Sequence, residues 1–415
     1  MASFSFGAGN AGKLLRTPRY LAGRLATLVI PRTRELWVFG CAVGLADGAW
    51  ALWQHAAARG EHAVWLTGSV RDEAEAQERG IPWVRKESLR GFWLTARAAV
   101  IVVTHGFGDV NRYAATGGVI VQLWHGIPLK RIGLDSAVTT QSPVPVLRGP
   151  VSRMLAVLYR RTQSRIRVLP AASHLVRGRL ESAFGLPGAR VPVTGEPRVD
   201  VLSQGAPDDR RAAARARLES LVGPLAAATR VVLYAPTWRD GAPDPAVPTA
   251  AQRGRLQELM TETDAVLLIR SHPLGAGDYL PVAGERIRML GSDVVADATP
   301  LLSAVDVLVT DYSSMVFDAS LVPVPTVFLA PDLGDYARTR GFYGTYADVA
   351  GDDVAADWNE AAARVRLVLT DAGERERAAD RMRRLGARVH AFADGRNTER
   401  VYRAIRAALA AGRVS

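Results

Sequence analysis

A chain of 415 residues exceeds one ordinary hydrophobic core and has room for two α/β domains. With 48% hydrophobic and 22% charged residues it is globular rather than disordered or fibrous; its single cysteine, Cys41, excludes an intrachain disulfide or a cysteine-built metal site and suits a reducing cytosol. The balance of 52 basic against 41 acidic residues, net +11, points to an anionic partner, while no apolar run nears the ~20 residues of a membrane span and the start lacks the pattern of a secretory signal.

The excess charge is uneven. Met1 to Arg34 holds six basic residues and no acid, and Ser136 to Leu180 holds eight arginines and no acid. In the first tract Leu14, Leu21, Leu25 and Leu28 recur at helical spacing between arginines. That pattern describes either a short interfacial helix on anionic lipid or a solvated basic tail, and residues 1–30 are set apart as a membrane-associating segment.

From Glu35 onward strands and helices alternate. "ELWVFGC", "HAVWLTGS", "AVIVVTHG" and "GVIVQLWHG" are apolar on both faces, as in parallel strands covered by helices, and "DGAWALWQHAAARG" has helical periodicity between the first two. These predict a doubly wound domain over 31–170. A second set, "RVVLYAPTW", "AVLLIRSHP", "RIRML", "VDVLVTDYSS" and "TVFLAP", predicts another over 171–370, with "AAQRGRLQELMTETD" and "TPLLSAV" as helices between strands. The closing helices, within 371–415, are expected to fold back over the first domain. The fold class is thus α/β, two Rossmann-like parallel-sheet domains facing a cleft, with ligands at the carboxyl ends of strands.

Every unusual polar cluster falls at such an end. His125-Gly126, with Pro128 and Lys130, follows one strand. Thr237-Trp238-Arg239-Asp240, Arg270-Ser271-His272-Pro273 and Thr310-Asp311-Tyr312-Ser313-Ser314 follow three others. Ser313 or Ser314 at the N-cap of a helix carrying Met315, Phe317 and Asp318 is either plain capping or a phosphate site built from free N–H groups and the helix dipole; Arg239, Arg270 and His272 nearby favour the anion. His125 is either a structural ring or a base able to take a proton from a hydroxyl, and its place beside glycine and lysine favours the base. His105 ends a strand as a weaker candidate, whereas His55, His62 and His390 read as surface or helix residues. No phosphate-binding GxxxxGK[ST] loop, GxGxxG fingerprint or HExxH metal motif occurs. A metal-free transfer in which Arg, His and a helix terminus hold a diphosphate fits what remains.

In order, "WHGIPLK", "GEPRVD", "APTWRD", "RSHP" and "VTDYSSMVFD" resemble the CDP-glycerol glycerophosphotransferases of teichoic-acid and capsule synthesis, from about Phe39 to Gly344. The resemblance implies a glycosyltransferase-B fold. It also implies transfer of glycerol phosphate, or alternatively ribitol phosphate, from a CDP-alditol to a hydroxyl of a lipid-linked acceptor, with release of CMP at the cytoplasmic face of the membrane. No cofactor is implied. His125 and His272 take the catalytic positions, His125 as base and His272 on the diphosphate. Gly126, Pro128 and Lys130 shape the His125 loop and join Arg198, Thr237, Trp238, Arg239, Arg270, Ser271, Thr310, Asp311, Ser313, Ser314 and Asp318 as the donor-binding set. Ile127 stands where the family often has threonine. The arginine-rich stretch from Pro150 is expected to turn Met154, Leu155 and Leu158 to apolar surroundings and Arg153, Arg160 and Arg161 to anions. Two rivals remain: a glycosyltransferase using a nucleotide sugar, disfavoured because Asp318 stands near where such enzymes place a ribose-binding glutamate, and a nucleic-acid binder, disfavoured because the basic tracts lack interleaved aromatics.

Overall fold

The computed structural model describes residues 17–136, 139, 148–239, 243–271, 279 and 284–412. The chain divides into two units, the first comprising residues up to His125, Arg131–Asp200 and everything from Arg396, the second Gly126–Lys130 and Val201–Gly395. Each holds one six-stranded sheet.

In the first unit the strands are β1 (Leu36–Phe39), β2 (His62–Thr67), β3 (Trp83–Arg85), β4 (Val100–Val103), β5 (Val119–Gln122) and β6 (Ile166–Val168). They pair in parallel in the order β3-β2-β1-β4-β5-β6. β1 and β4 are buried throughout, which is why their sequence shows no alternation: helices cover both faces. The order reverses between β1 and β4, so the loops leaving their carboxyl ends diverge and open the crevice where such sheets hold ligands.

The second unit repeats the plan with β7 (Arg230–Ala235), β8 (Ala265–Ile269), β9 (Ile287–Met289), β10 (Val307–Thr310), β11 (Thr326–Leu329) and β12 (Val354–Ala355). Their order, β12-β11-β10-β7-β8-β9, places the reversal between β10 and β7.

Two boundaries differ from the sequence expectation. The first unit ends at Asp200, not near residue 170, because Leu169 N–H donates to the Arg190 carbonyl and Ala171 pairs in parallel with Val193, extending the β6 edge. The helix Ala372–Val389 stays with its own unit, burying Ala378, Met382, Leu385 and Val389 against the helix Trp358–Thr370, the helix Met315–Ala319 and β11. Only the helix Asn397–Ala411 returns, packing Val401 and Ile405 into the core of Trp37, Leu52 and Val121. The Asp200 carboxylate anchors its first turn, accepting from Asn397 N (2.9 Å), Thr398 N (2.7 Å) and Thr398 Oγ1 (2.7 Å). Amphipathic periodicity shows that a helix has an inner face but not which sheet receives it.

Each basic tract contributes a surface helix to the first unit, Thr17–Val29 and Arg148–Gln163; Leu14 lies outside the described residues. Thr17–Val29 seats Gly23 against Tyr113, where a Cβ would lie 2.5 Å from the Tyr113 carbonyl oxygen, and leaves Leu21, Leu25, Leu28 and Val29 exposed. In Arg148–Gln163, Leu155 and Tyr159 turn inward. Contrary to expectation, Met154 and Leu158 do not join Leu155 but stand exposed with Val157.

Candidate functional site

Three loops at the carboxyl ends of β1, β4 and β5 meet in the first unit. After β1 the chain turns through Asp47 at φ +61°, a left-handed conformation disfavoured for residues other than glycine, held because Asp47 Oδ1 accepts from Gly48 N (2.6 Å) and Arg198 Nε (3.0 Å). After β4 the buried Asp109 carboxylate gathers three backbone donors, Thr104 N at 2.9 Å, His105 N at 2.7 Å and Gly106 N at 3.2 Å. These bonds oppose the rise in pKa that burial imposes on Asp109, and they fix the loop that presents His105. After β5 the chain passes through Trp124 at φ +62° and Gly126 at φ +121°. Between two such residues, His125 is thrown out of the strand line and over its neighbour: the His105 and His125 rings stack at 4.4 Å and 3°. Trp124 lies against His125 at 4.2 Å and meets Phe184 edge-on at 5.2 Å.

Burial is the main reason that His125 has a pKa lowered to about 3; His105 and Arg198 add to the effect, while Asp47 and the Thr104 carbonyl oppose it. His105 is lowered to about 4, again first by burial, then by nearby positive charge including Arg198. Both rings are therefore neutral at pH 7. His125 Nδ1 is buried and has no hydrogen-bond partner among the described residues, a lone pair held out of water. Such a nitrogen can accept a proton from a hydroxyl brought to it.

In the second unit the polar residues divide into those already engaged and those available. Arg239 and Asp311 are 6% and 1% exposed and pair at 2.7 Å. Arg239 also meets Asp332 in a two-pronged contact, Nε to Oδ2 at 2.8 Å and Nη2 to Oδ1 at 2.9 Å, and lies 4.9 Å from the Tyr312 ring. Asp311 further accepts from Thr237 N at 2.9 Å, while Tyr346 donates to its carbonyl at 2.8 Å and Tyr312 donates to Asp332 at 2.8 Å. Arg270 directs Nη1 at the Val295 carbonyl (2.8 Å) and Nη2 at the Ala296 carbonyl (2.9 Å). Thr310 Oγ1 donates to the Ala235 carbonyl at 2.8 Å. Arg239 and Arg270 thus bind the loops together instead of standing open to an anion, unlike their expected diphosphate role.

Thr237 Oγ1, just past the end of β7, and Ser271 Oγ, just past the end of β8, are buried hydroxyls with no partner among the described residues. Trp238 is half-buried beside them. The segment Gly126–Lys130 is bound to this unit through an antiparallel bridge from Lys130 to Phe342 and a 3.0 Å bond from Tyr343 N to the Leu129 carbonyl; Pro128 lies buried within it. Lys130 has a pKa lowered to about 8, principally by burial, with Asp311 opposing and Arg340 and Arg239 reinforcing.

Further expectations change. The helix Met315–Ala319 has five residues and Ser314 makes no side-chain cap; Ser313 Oγ instead accepts from Met315 N at 3.3 Å. So short a helix carries little dipole, and the phosphate site expected there loses its main support. Asp318 is buried, 2% exposed, within that helix. Arg198 belongs to the first unit, beside Asp47 and His125, and not to the second unit, where its expected donor contact would place it. His272 lies outside the described residues. Asp47, Asp109 and Asp332 escaped the sequence reading, although an aspartate opening a helix just after β1 stands where a doubly wound sheet exposes residues to ligand.

The chain matches the family described as CDP-glycerol:poly(glycerophosphate) glycerophosphotransferase over residues 34–407. It is 29% identical over 281 residues to a teichoic acid glycerol-phosphate transferase of Staphylococcus aureus, covering 65% of this chain and 67% of that protein. It is 26% identical over 297 residues to a teichoic acid poly(glycerol phosphate) polymerase of Bacillus subtilis, covering 68% of this chain but only 37% of that one. The wall teichoic acid polymerase TagF superposes with a TM-score of 0.75 at 20% identity, over 97% of this chain and 96% of the solved one, which establishes a shared glycosyltransferase-B-like fold. With its two parallel sheets and its five motifs in order, the chain belongs to the CDP-glycerol:poly(glycerophosphate) glycerophosphotransferase family.

Proposed function

We propose that this protein transfers glycerol phosphate from CDP-glycerol to a hydroxyl of a lipid-linked acceptor. The observation that carries the mechanism is the neutral His125 ring with its buried, unpartnered Nδ1. In the proposed step Nδ1 takes the acceptor's hydroxyl proton. The oxygen attacks the phosphorus bearing glycerol, the bond from that phosphorus to the bridging oxygen breaks, and CMP departs with the electron pair. His105 stacks on the base and positions it. Thr237 and Ser271 offer hydroxyls to the donor phosphates, and Lys130 offers a cation. Metal is not required. The test is CMP release from CDP-glycerol and from CDP-ribitol with and without EDTA: turnover at least tenfold faster with CDP-glycerol and unchanged by EDTA is expected. Preference for CDP-ribitol, or loss with EDTA, overturns the donor or the metal-free reading respectively.

The acceptor's lipid calls for a docking face, which we place on the two basic helices of the first unit, giving a peripheral protein at the cytoplasmic face of an anionic membrane. The helix Thr17–Val29 leaves a leucine face exposed, and Arg165 lies near enough to Arg24 and Arg161 that, after burial, their charge depresses its pKa. Among the described residues no helix is long and apolar enough to cross a membrane. Replacing Leu21, Leu25 and Leu28 together by Ser should weaken sedimentation with anionic vesicles roughly tenfold or more while sparing turnover on a soluble acceptor. Undiminished vesicle binding would remove this helix from the docking face.

A further inference from the structure

At the opposite end of the second sheet from Asp311, Thr237 and Ser271, a cavity of roughly 270 Å³ opens between the amino end of β11, the helix Trp358–Thr370 and the helix Ala372–Val389. Its apolar floor includes Val327, Val368 and Ala378. Its walls carry Arg364, Arg377, Arg381 and Arg384 against only Asp353 and Glu374, an excess of two positive charges. Arg377, Arg381 and Arg384 recur at helical spacing on one face of a single helix, so they converge on the same space.

Part of this charge is satisfied. Arg364 Nη2 pairs with Asp353 at 2.8 Å, and Arg377 pairs with Glu374. Arg364 Nη1 and Arg381 Nε, however, are buried without a hydrogen-bond partner among the described residues, while Arg381 Nη1 reaches the Ala350 carbonyl only at 3.4 Å. A charged donor kept from water without an acceptor is costly, and two at one cavity point to an acceptor that the protein does not supply.

We propose that this cavity is a binding site for a small phosphate monoester or inorganic phosphate, separate from the transfer chemistry. A dianion matches the net charge, its oxygens accept forked guanidinium donors, and the volume falls just below that of pockets for larger organic ligands, about 300–1,000 Å³. A phosphodiester of a polymer carries one charge and leaves the excess half neutralised. The occupied site ties the two helices to each other and to β11.

The experiment is calorimetric titration of the intact protein with inorganic phosphate, glycerol 3-phosphate and glycerophosphoglycerol at constant ionic strength, with CMP present to occupy the donor site. Thermal melts run in parallel. Phosphate and the monoester should bind at least tenfold more tightly than the diester, and a thirtyfold excess over Kd should raise Tm by about 3–6 °C. Arg364→Gln and Arg381→Gln should each weaken binding tenfold or more without changing basal turnover of CDP-glycerol. The exposed Arg384→Ala, which leaves packing intact, should weaken it several-fold and serves if either other variant fails to fold. Absence of binding with CMP present, equal binding of the diester, or affinity unchanged in the variants overturns the proposal.

Discussion

His125→Ala should lower kcat by about 10²–10⁴-fold while leaving CDP-glycerol binding close to that of the parent. Among the described residues Nδ1 has no hydrogen-bond partner, so the substitution deletes the proposed base together with the ring contacts to His105 and Trp124. The pH dependence provides a second readout. With a folded pKa of about 3 against an ordinary 6.5, His125 stays neutral down to strongly acid pH, so the profile of kcat/KM should show no acid limb near 6.5. A basic limb near pH 8 is expected instead, as Lys130 loses its proton and its hold on phosphate, and Lys130→Met should erase that limb. The same lowered pKa bears on stability. A histidine depressed in the folded state binds protons more readily when unfolded, so its contribution is complete above about pH 6.5 and is lost as pH falls from there toward 3. Activity of His125→Ala within a few-fold of the parent would sink the assignment, whereas an acid limb at 6.5 that the variant abolishes would keep His125 as the base and overturn its lowered pKa.

Arg239→Ala is expected to be the most destabilising single change in the second unit. It leaves Asp311, 1% exposed, without its guanidinium partner and frees Asp332 from its paired contact. Removing one partner of a buried pair costs about 3–5 kcal/mol, because the remaining charge stays out of water. For a unit of this size that corresponds to a fall in Tm on the order of 10 °C. Arg239→Lys should recover little of it, since an ammonium cannot bridge two carboxylates in a forked geometry. The comparison is Arg338→Ala, whose pair with Asp335 is 77% and 76% exposed and whose loss should scarcely move Tm. Thermal melts of the three variants side by side decide the matter, and a small loss in Arg239→Ala would show that the pair is not a keystone of these loops.

The strands were readable from local pattern because burial on both faces is written into each as an unbroken apolar run, "LWVF" in β1 and "VIVV" in β4. His125, Thr237 and Asp311 likewise sit just past the carboxyl ends where such runs stop, so the sequence alone places them at strand ends. Local order also told that the chain would make two sheets, since a parallel strand needs a crossover and the runs fall into two such sets.

What each polar group does there was settled only by folding. Arg239 meets a carboxylate 93 residues away, Arg270 reaches carbonyls 25 and 26 residues on, and Asp47 holds an arginine 151 residues distant. A window of sequence shows such an arginine as an available cation, because its partner lies outside the window. Thr237 and Ser271 emerge as open hydroxyls for the complementary reason, that no described residue reaches them with a hydrogen bond. The pairing of His105 with His125 follows from β4 and β5 being neighbours in the sheet, and the neutrality of both rings follows from the burial this creates. Periodicity and strand ends are properties of short segments; charge partners and desolvation are properties of segments brought together, and only the tertiary structure supplies them.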